Sequence, residues 1–328
     1  MAEAGAHSER ICGESDGSDA ARRTVSVRPC WEEGLLALPD VDFRMDEPLA
    51  RHTTFRIGGP VRCLAVPRTM DALFALMDAI RQESIPHIVL GGGSNVLAPD
   101  PPWEAVAVKL DAACTELAPV NEGSGLYVGA GVSVARLLGF CMRNGLAGLE
   151  PLTGIPGTVG GALVMNAGTA EGCTADALSF IDLLDASGER RRMERGELSP
   201  RYRSMGLPEG SMVLGACFRL ERCDSGSVRA RVRELMLRRK RTQPLGFPSA
   251  GCIFKNPEGS SAGALIDRAG LKGFRIGGAE VSPVHANWIV NVAGASARDV
   301  LSVVRHVEEC VYERFGVRLE REIRIPWA

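Results

Sequence analysis

Two clusters of glycine stand out as places where the backbone itself could do chemistry. The longer, residues 148–168, reads GLEPLTGIPGTVGGALVMNAG, with glycines at 148, 154, 157, 160, 161 and 168 and prolines at 151 and 156. Such density opposes an ordinary helix or strand, because glycine costs backbone entropy and proline removes a donor. What it permits is close approach of peptide N–H groups to a ligand, most often a phosphate. Ile155, Val159, Leu163 and Val164 are interleaved with the small residues. A solvated linker would carry Ser, Glu and Lys there instead. The second cluster, LGGGSNVL at 90–97, follows PHIVL, an apolar run of strand length. Gly91, Gly92 and Gly93 are consecutive, so the dinucleotide fingerprint G-x-G-x-x-G is not met. Two separated glycine-rich loops suit a long diphosphate ligand held between two lobes.

The chain has 328 residues, enough for two or three domains with a sizeable core. Its net charge of −2 gives no global drive toward nucleic acid or a membrane surface. No apolar run approaches the ~20 residues that span a bilayer, so no membrane insertion is expected. The ten cysteines form no C-x-x-C pair, and no histidine lies at ligand spacing beside them. They read as reduced thiols of a cytoplasmic protein, with no metal site. Residues 1–30 are rich in Ala, Gly, Ser, Glu and Arg and read as a disordered extension.

The elements that must position the loops follow from pattern. A short helix and loop over 31–50 lead in. Residues 54–57 and 61–66 read as strands around a Gly58-Gly59-Pro60 turn. The spacing of Met70, Leu73, Phe74, Met77 and Ile80 predicts a helix over 69–84, capped by Thr69, before a strand at 87–90. This is a first lobe, 31–100. Strands at 105–110 and 126–130, a helix from Ser133 to Gly145, and strands at 180–185, 189–193 and 212–220 make a second lobe, 101–223. A linker at 224–227 precedes a basic helix over 228–242, which opens a C-terminal α+β domain, 224–328. In it we expect a strand at 252–255, a helix at 261–269, a strand at 288–292, a long helix over 296–315 with Ser296 and Asp299 as a capping pair, and a last strand at 319–325.

Four segments then occur in one order: RHTTFRIGG at 51–59, GGGSNVL at 91–97, the long glycine stretch, and PSAGCIFKNP at 248–257. They are followed by AGALIDRAGLKGFRIGGAEVSPVHANWIVN at 262–291 and by LEREIRIP near the end. This set closely resembles the UDP-N-acetylenolpyruvoylglucosamine reductases, and its compact spacing resembles their shorter, type II subgroup. The resemblance covers about residues 31–327. It implies two FAD-binding α+β lobes of the vanillyl-alcohol-oxidase type and a C-terminal substrate-binding domain. It also implies a reaction: NADPH reduces noncovalent FAD, which reduces the enolpyruvyl ether of UDP-N-acetylglucosamine-enolpyruvate to UDP-N-acetylmuramate, a step of peptidoglycan precursor synthesis.

Adding hydride to an enolpyruvate leaves an enolate, so the site needs a fixed cation or donor and an acid over the α-carbon. The family's Tyr-Arg motif falls on Tyr202-Arg203, which makes Arg203 the implied enolate stabiliser; Met205 stands where relatives often carry serine. Glu322 of LEREI matches the catalytic glutamate, in preference to Glu320, with which it would share a strand face. Cys252 occupies the position of the proton-donating serine. The resemblance puts Arg56, Ile57, Gly58, Gly91, Gly92, Gly93, Ser94, Asn95, Thr153, Gly154, Gly157, Thr158, Gly161 and Gly168 against FAD. It puts Tyr202, Lys255, Asn256, His285 and Asn287 at the substrate, with Arg241 or a neighbour reaching its diphosphate. The basic run 229–241 carries no aromatic residue and reads as a solvated helix face, not a nucleic-acid surface.

Two other readings compete. An oxygen-using alcohol oxidase on the same two lobes would lack PSAGCIFKNP and HANWIVN. A nucleotide-binding regulator without activity would have no use for Arg203, Lys255, Asn256 and Glu322. The purified protein is expected to be yellow and to release FAD on denaturation, measured by the absorbance of the supernatant. Folded, colourless protein that takes up no added FAD would defeat the reading.

Overall fold

The computed structural model describes residues 31–120 and 125–327. The extension expected over residues 1–30 lies outside the described residues.

The first sheet is built from β1 (Val41–Pro48), β2 (Pro60–Pro67), β3 (His87–Val89) and β4 (Trp103–Val108), in the spatial order β1-β2-β4-β3. β1 runs antiparallel to β2, whereas β4 runs parallel to both β2 and β3. Two expectations change here. β1 read as loop because VDFRMDEP is half charged, yet pairing along β2 fixes it as a strand. β4 joins the first sheet, so the strand expected just beyond residue 100 belongs with the strands that precede it. Helix α1 (Trp31–Leu36) and helix α2 (Met70–Gln82) cover this sheet, α2 being capped by Thr69 Oγ1, which accepts from Ala72 N at 3.1 Å. Residues 54–57 form a turn and not a strand, with Arg56 at φ 54°.

The second sheet has five antiparallel strands in the order Arg190–Glu194, Leu178–Leu184, Met212–Arg219, β6 (Gly125–Gly129) and β5 (Leu117–Val120). Helix α3 (Val134–Asn144) starts at Ser133, whose hydroxyl accepts from Arg136 N, and stops at Gly145 in the left-handed region. One continuous core joins the two sheets, with Cys63, Ala65, Val106 and Val108 from the first and Leu126, Val128, Ile181 and Phe218 from the second. Within the glycine stretch a short helix α4 (Val159–Val164) does form, against the sequence expectation. Thr158 caps it, and Gly160 is where it lies so close to Ala130 that a Cβ would sit 2.9 Å from the Ala130 Cβ.

Helix α5 (Ser225–Thr242) begins where a linker was expected, because Asp224 caps it by accepting from Ser227 N at 2.9 Å. It lies against the second lobe: Arg229 donates to Met142 O, and Glu171 pairs with both Arg231 and Arg238. The last sheet runs Ser249–Cys252, Trp288–Asn291, Ala279–Val281, Arg275–Ile276, all antiparallel. Helix α6 (Ala262–Arg268) and helix α7 (Ala297–Phe315) pack over it. Residues 319–325 are not a continuous strand. Arg321 bridges to Phe254, and Arg324 to Val96, so the segment changes partner between two domains.

That change of partner shows how the C-terminal domain is held. Its core includes Phe55, Ile57 and Leu97 from the first lobe. The N-terminus of α7 is also held from outside: Asp100 accepts from Ala297 N at 2.7 Å and Arg298 N at 3.0 Å, while Ser296 and Asp299 satisfy each other's amides. A carboxylate on these orphan donors combines a cap with a favourable helix-dipole contact, together about 1–2 kcal/mol. Asp100→Ala is therefore expected to shift urea unfolding by that amount, with Asp100→Asn recovering part of it. An unchanged transition would mean that the cap contributes nothing across the boundary.

Candidate active site

The site forms where the glycine loops, the Tyr202-Arg203 turn, the strand Ser249–Cys252 and the C-terminal segment meet. The two loops touch directly. A Cβ on Gly92 would lie 2.5 Å from Gly157 Cα, so the chains can approach this closely only as glycines. Ser94 Oγ donates across the gap to Pro156 O at 2.9 Å. Thr158 stands against Gly91 and caps α4 by accepting from Gly161 N. The 53–57 turn is stitched to this cradle by Thr54 N donating to Gly93 O at 3.1 Å. Thr53 Oγ1 closes the turn onto Ile57 O and leaves Arg56 exposed. Ile57 itself is buried in the C-terminal core, so only its backbone can face a ligand.

Arg203 is carried by a tight turn in which Arg201 and Ser204 exchange backbone hydrogen bonds. Its own φ is 60°, a conformation that costs a non-glycine residue about 1–3 kcal/mol and concentrates at functional sites. Met205, fully buried, anchors the turn from below. The amide of Asn166 holds it from the glycine stretch, donating to Arg201 O at 3.2 Å. The Arg203 side chain then reaches Glu322, with Nε 2.8 Å from Oε1, and donates from Nη1 to Gly168 O at 3.2 Å. The Nε–H is not aimed along a hydrogen bond, so the contact is a close ion pair, and Glu322 Oε2 is buried with no partner at all. Burial pushes the Glu322 carboxyl above its ordinary range, against the pull of Arg203.

Glu322 is placed by its backbone. Its N–H donates to Ile253 O at 2.8 Å, and its carbonyl accepts from Asn95 Nδ2 at 3.1 Å. The side-chain amide of Asn95 thereby ties the second glycine loop to the C-terminal segment. Glu320 does not share the face of Glu322: its side chain is 71% exposed, against 12% for Glu322, and pairs with Lys255. Cys252 lies opposite Trp288 across the sheet. Its thiol is pushed up to about 11 by burial and by Glu322, with Arg203, Trp288 and Arg239 pulling the other way.

The remaining expected residues divide. Asn256 Oδ1 accepts from Ala262 N at the start of α6, and Asn256 N points to the hydroxyl of exposed Tyr202 at 3.5 Å. Asn287 is 3% exposed, and its amide meets both backbone groups of Phe254, accepting from N at 3.0 Å and donating to O at 2.8 Å. It pins the strand beside Cys252. His285, part-buried, accepts from Asn287 N and lies over the start of α6. Burial lowers its pKa. Gly168 packs against Gly172 and Cys173 and lends its carbonyl to Arg203.

Arg241 is exposed. Two residues earlier, Arg239 enters the site, donating from Nη1 to Thr153 O at 2.6 Å. Burial lowers its pKa, with Arg203 adding to the fall and Cys252 opposing it. Sequence reasoning passed over it, although Val228, Val232, Leu235 and Arg239 continue one helical stripe. Among the described residues six side-chain atoms are buried without a partner, and five of them belong to residues of this region: Thr153 Oγ1, Arg203 Nε, Arg239 Nε, Trp288 Nε1 and Glu322 Oε2, the sixth being Gln243 Oε1. Buried polar groups ordinarily find partners, so such a cluster marks a surface made for a ligand.

Comparison with known proteins gives the family. Residues 243–326 match the family model for the C-terminal domain of UDP-N-acetylenolpyruvoylglucosamine reductase, and residues 61–194 match a FAD binding domain. The UDP-N-acetylenolpyruvoylglucosamine reductase of Syntrophobacter fumaroxidans is 55% identical over 93% of this chain and 89% of its own length. That of Desulfosudis oleivorans is 42% identical over 86% of this chain and 94% of its own. The chain belongs to this reductase family. The crystal structure of the Thermus caldophilus reductase superposes with a TM-score of 0.72 at 37% identity, covering 87% of this chain and 98% of that one.

A FAD-binding domain of this family suits the residues present. The interlocked loops offer backbone donors where side chains are excluded, and the unpartnered hydroxyl of Thr153 lies on the same wall as Arg239. Among the described residues no group of three or more His, Cys, Asp or Glu could hold a metal, and no helix is long and apolar enough to cross a membrane. Gly157 sits at φ 117°, and a Cβ there would meet Ser94 Oγ at 2.7 Å. Gly157→Val should therefore break the contact between the loops and weaken FAD binding at least tenfold, read by flavin titration of the apoprotein. Unchanged affinity would remove this loop from the cofactor site.

Proposed function

We propose that the chain reduces the enolpyruvyl ether of UDP-N-acetylglucosamine-enolpyruvate to UDP-N-acetylmuramate, with NADPH as the reductant. The observation that carries the reading is the convergence of Arg203, Glu322 and Cys252, from two domains, beside the interlocked glycine loops. FAD, when bound, supplies the hydride for the methylene carbon.

The protein's own groups manage the charge and the proton. Arg203 stays cationic in a desolvated place and faces the carboxylate and enolate oxygens, where a fixed cation is worth far more than in water. Its strained turn and its ion pair hold it there before substrate arrives, so no reorganisation is needed at the moment of reaction. Glu322 keeps Oε2 open toward the same region. Ionised in its pair with Arg203, the carboxylate can accept a hydrogen bond there from a donor on the substrate. Cys252 delivers the proton to the α-carbon from Sγ. A thiol pushed up to about 11 remains protonated at neutral pH and is lost as a donor only when pH rises through that value. Such a thiol is unlike a nucleophilic cysteine, whose surroundings favour thiolate. Lys255 and Tyr202, at the rim, and Arg239, at the inner wall, are assigned to the nucleotide-sugar and its phosphates. All eight described cysteines are free, and we place the reaction in the cytoplasm.

Stopped-flow measurement of the two half-reactions tests these roles. Arg203→Ala should slow substrate-driven reoxidation of the flavin far more than its reduction by NADPH. Equal slowing would indicate a fold or cofactor defect instead. General acid catalysis is worth ~10²–10⁴ in rate. Cys252→Ala should lose about that factor in reoxidation, whereas Cys252→Ser should keep substantial activity. A Cys252→Ala enzyme that reoxidises at the wild-type rate would show that another group supplies the proton.

A further inference from the structure

Cys252 and Trp288 are direct partners across the antiparallel strands Ser249–Cys252 and Trp288–Asn291. Side chains at such positions leave the same face of the sheet and lie within contact distance. Trp288 is only 7% exposed, and its indole N–H is buried without a hydrogen bond of good geometry. A buried indole N–H ordinarily has a partner, so this one calls for an account. The N–H stands on the Cys252 side of the sheet without bonding the resting thiol, in a place that favours thiolate alongside Arg203 and Arg239, while burial and Glu322 oppose it. The charged groups around the thiol are therefore Arg203, Arg239 and Glu322. Of the three that favour thiolate, only Trp288 is neutral and belongs to the same sheet.

We infer that Trp288 is a positioning residue for proton donation, its indole N–H fixing the Cys252 sulfur and completing a hydrogen bond as negative charge appears there. The inference rests on the reading of Cys252 as proton donor. In that step the S–H bond breaks, a C–H bond forms at the α-carbon, and the electron pair stays on sulfur. The resulting thiolate is the acceptor that the indole N–H lacks at rest. Water then returns the proton to sulfur. The idle N–H of the resting enzyme is thus a donor set aside for the charge that forms later, as in other preorganised sites.

The test is alkylation of Cys252 by iodoacetamide in the FAD-loaded enzyme at pH 8, followed by peptide mass, together with the two half-reactions. Alkylation follows the thiolate fraction. Loss of a hydrogen bond to a charged sulfur should cut that fraction about tenfold. Trp288→Phe should accordingly alkylate about tenfold more slowly and reoxidise with substrate about tenfold more slowly, with near-normal reduction by NADPH. Trp288→His, which keeps a ring N–H, should fall between Trp288→Phe and wild type. A mere packing role predicts the opposite sign, since the smaller phenylalanine opens access to the sulfur. Alkylation at the wild-type rate or faster overturns the inference. Slower alkylation with unchanged reoxidation upholds the hold of Trp288 on the thiol and sinks the proton-donor reading instead. Should Trp288→Phe fail to retain FAD, the Trp288→His enzyme against wild type decides by the same rates.

Discussion

The ion pair between Arg203 and Glu322 is the constraint around which the rest of the molecule is arranged. Both side chains are largely withdrawn from water, and desolvating two charges offsets most of what their attraction returns. Such a pair contributes little net stability, and it leaves one carboxyl oxygen unmatched. It persists because both partners are fixed by backbone contacts that do not depend on the pair. Asparagine amides do much of that fixing. Asn166 secures the turn that bears Arg203, Asn95 secures the carbonyl of Glu322, and Asn287 secures Phe254 two residues beyond Cys252. Each links segments far apart in sequence, and each puts a short, stiff side chain where a long one would let the catalytic groups drift.

Much of this architecture was legible in the chain and some was not, for identifiable reasons. Helices with a cap and an apolar stripe announced themselves: Thr69, Ser133 and Ser296 cap as their positions suggested, and Gly145 and Gly316 end their helices in the left-handed region. The glycine loops were recognisable as a place of close backbone approach. Strands were harder. β1 carries charges along an exposed side and is defined only by its partner, whereas 319–325 has the composition of a strand but divides its bonds between Phe254 and Val96. Pairing is a property of two segments, and one sequence displays only the first.

The site residues divide along the same line. Arg203, Glu322 and Cys252 came from the order of motifs, and the structure gathers them from distant parts of the chain. Asn95 was placed against FAD by its position in GGGSNVL; that its side-chain amide also reaches a carbonyl 227 residues on is visible only in the fold. Arg239 was hidden in a run of arginines, distinguishable from Arg241 only by helical phase with Leu235. Asn287 was placed at the substrate by the resemblance; the hold of its amide on both backbone groups of Phe254 had no sign in the sequence.

The C-terminal segment that switches from Phe254 to Val96 has a consequence for how the protein is assembled. Its contacts close loops that span most of the chain, with Asn95 meeting Glu322 and Leu97 receiving the indole N–H of Trp327. Closing such loops is entropically uphill until the surfaces they join are already in place, so contacts of this span form late. The two sheets share one core, and neither contains Glu322. A chain arrested before this last docking would hold a complete glycine cradle next to an arginine with no counter-ion. The stitch that brings Glu322 to Arg203 also closes the chain across its domains.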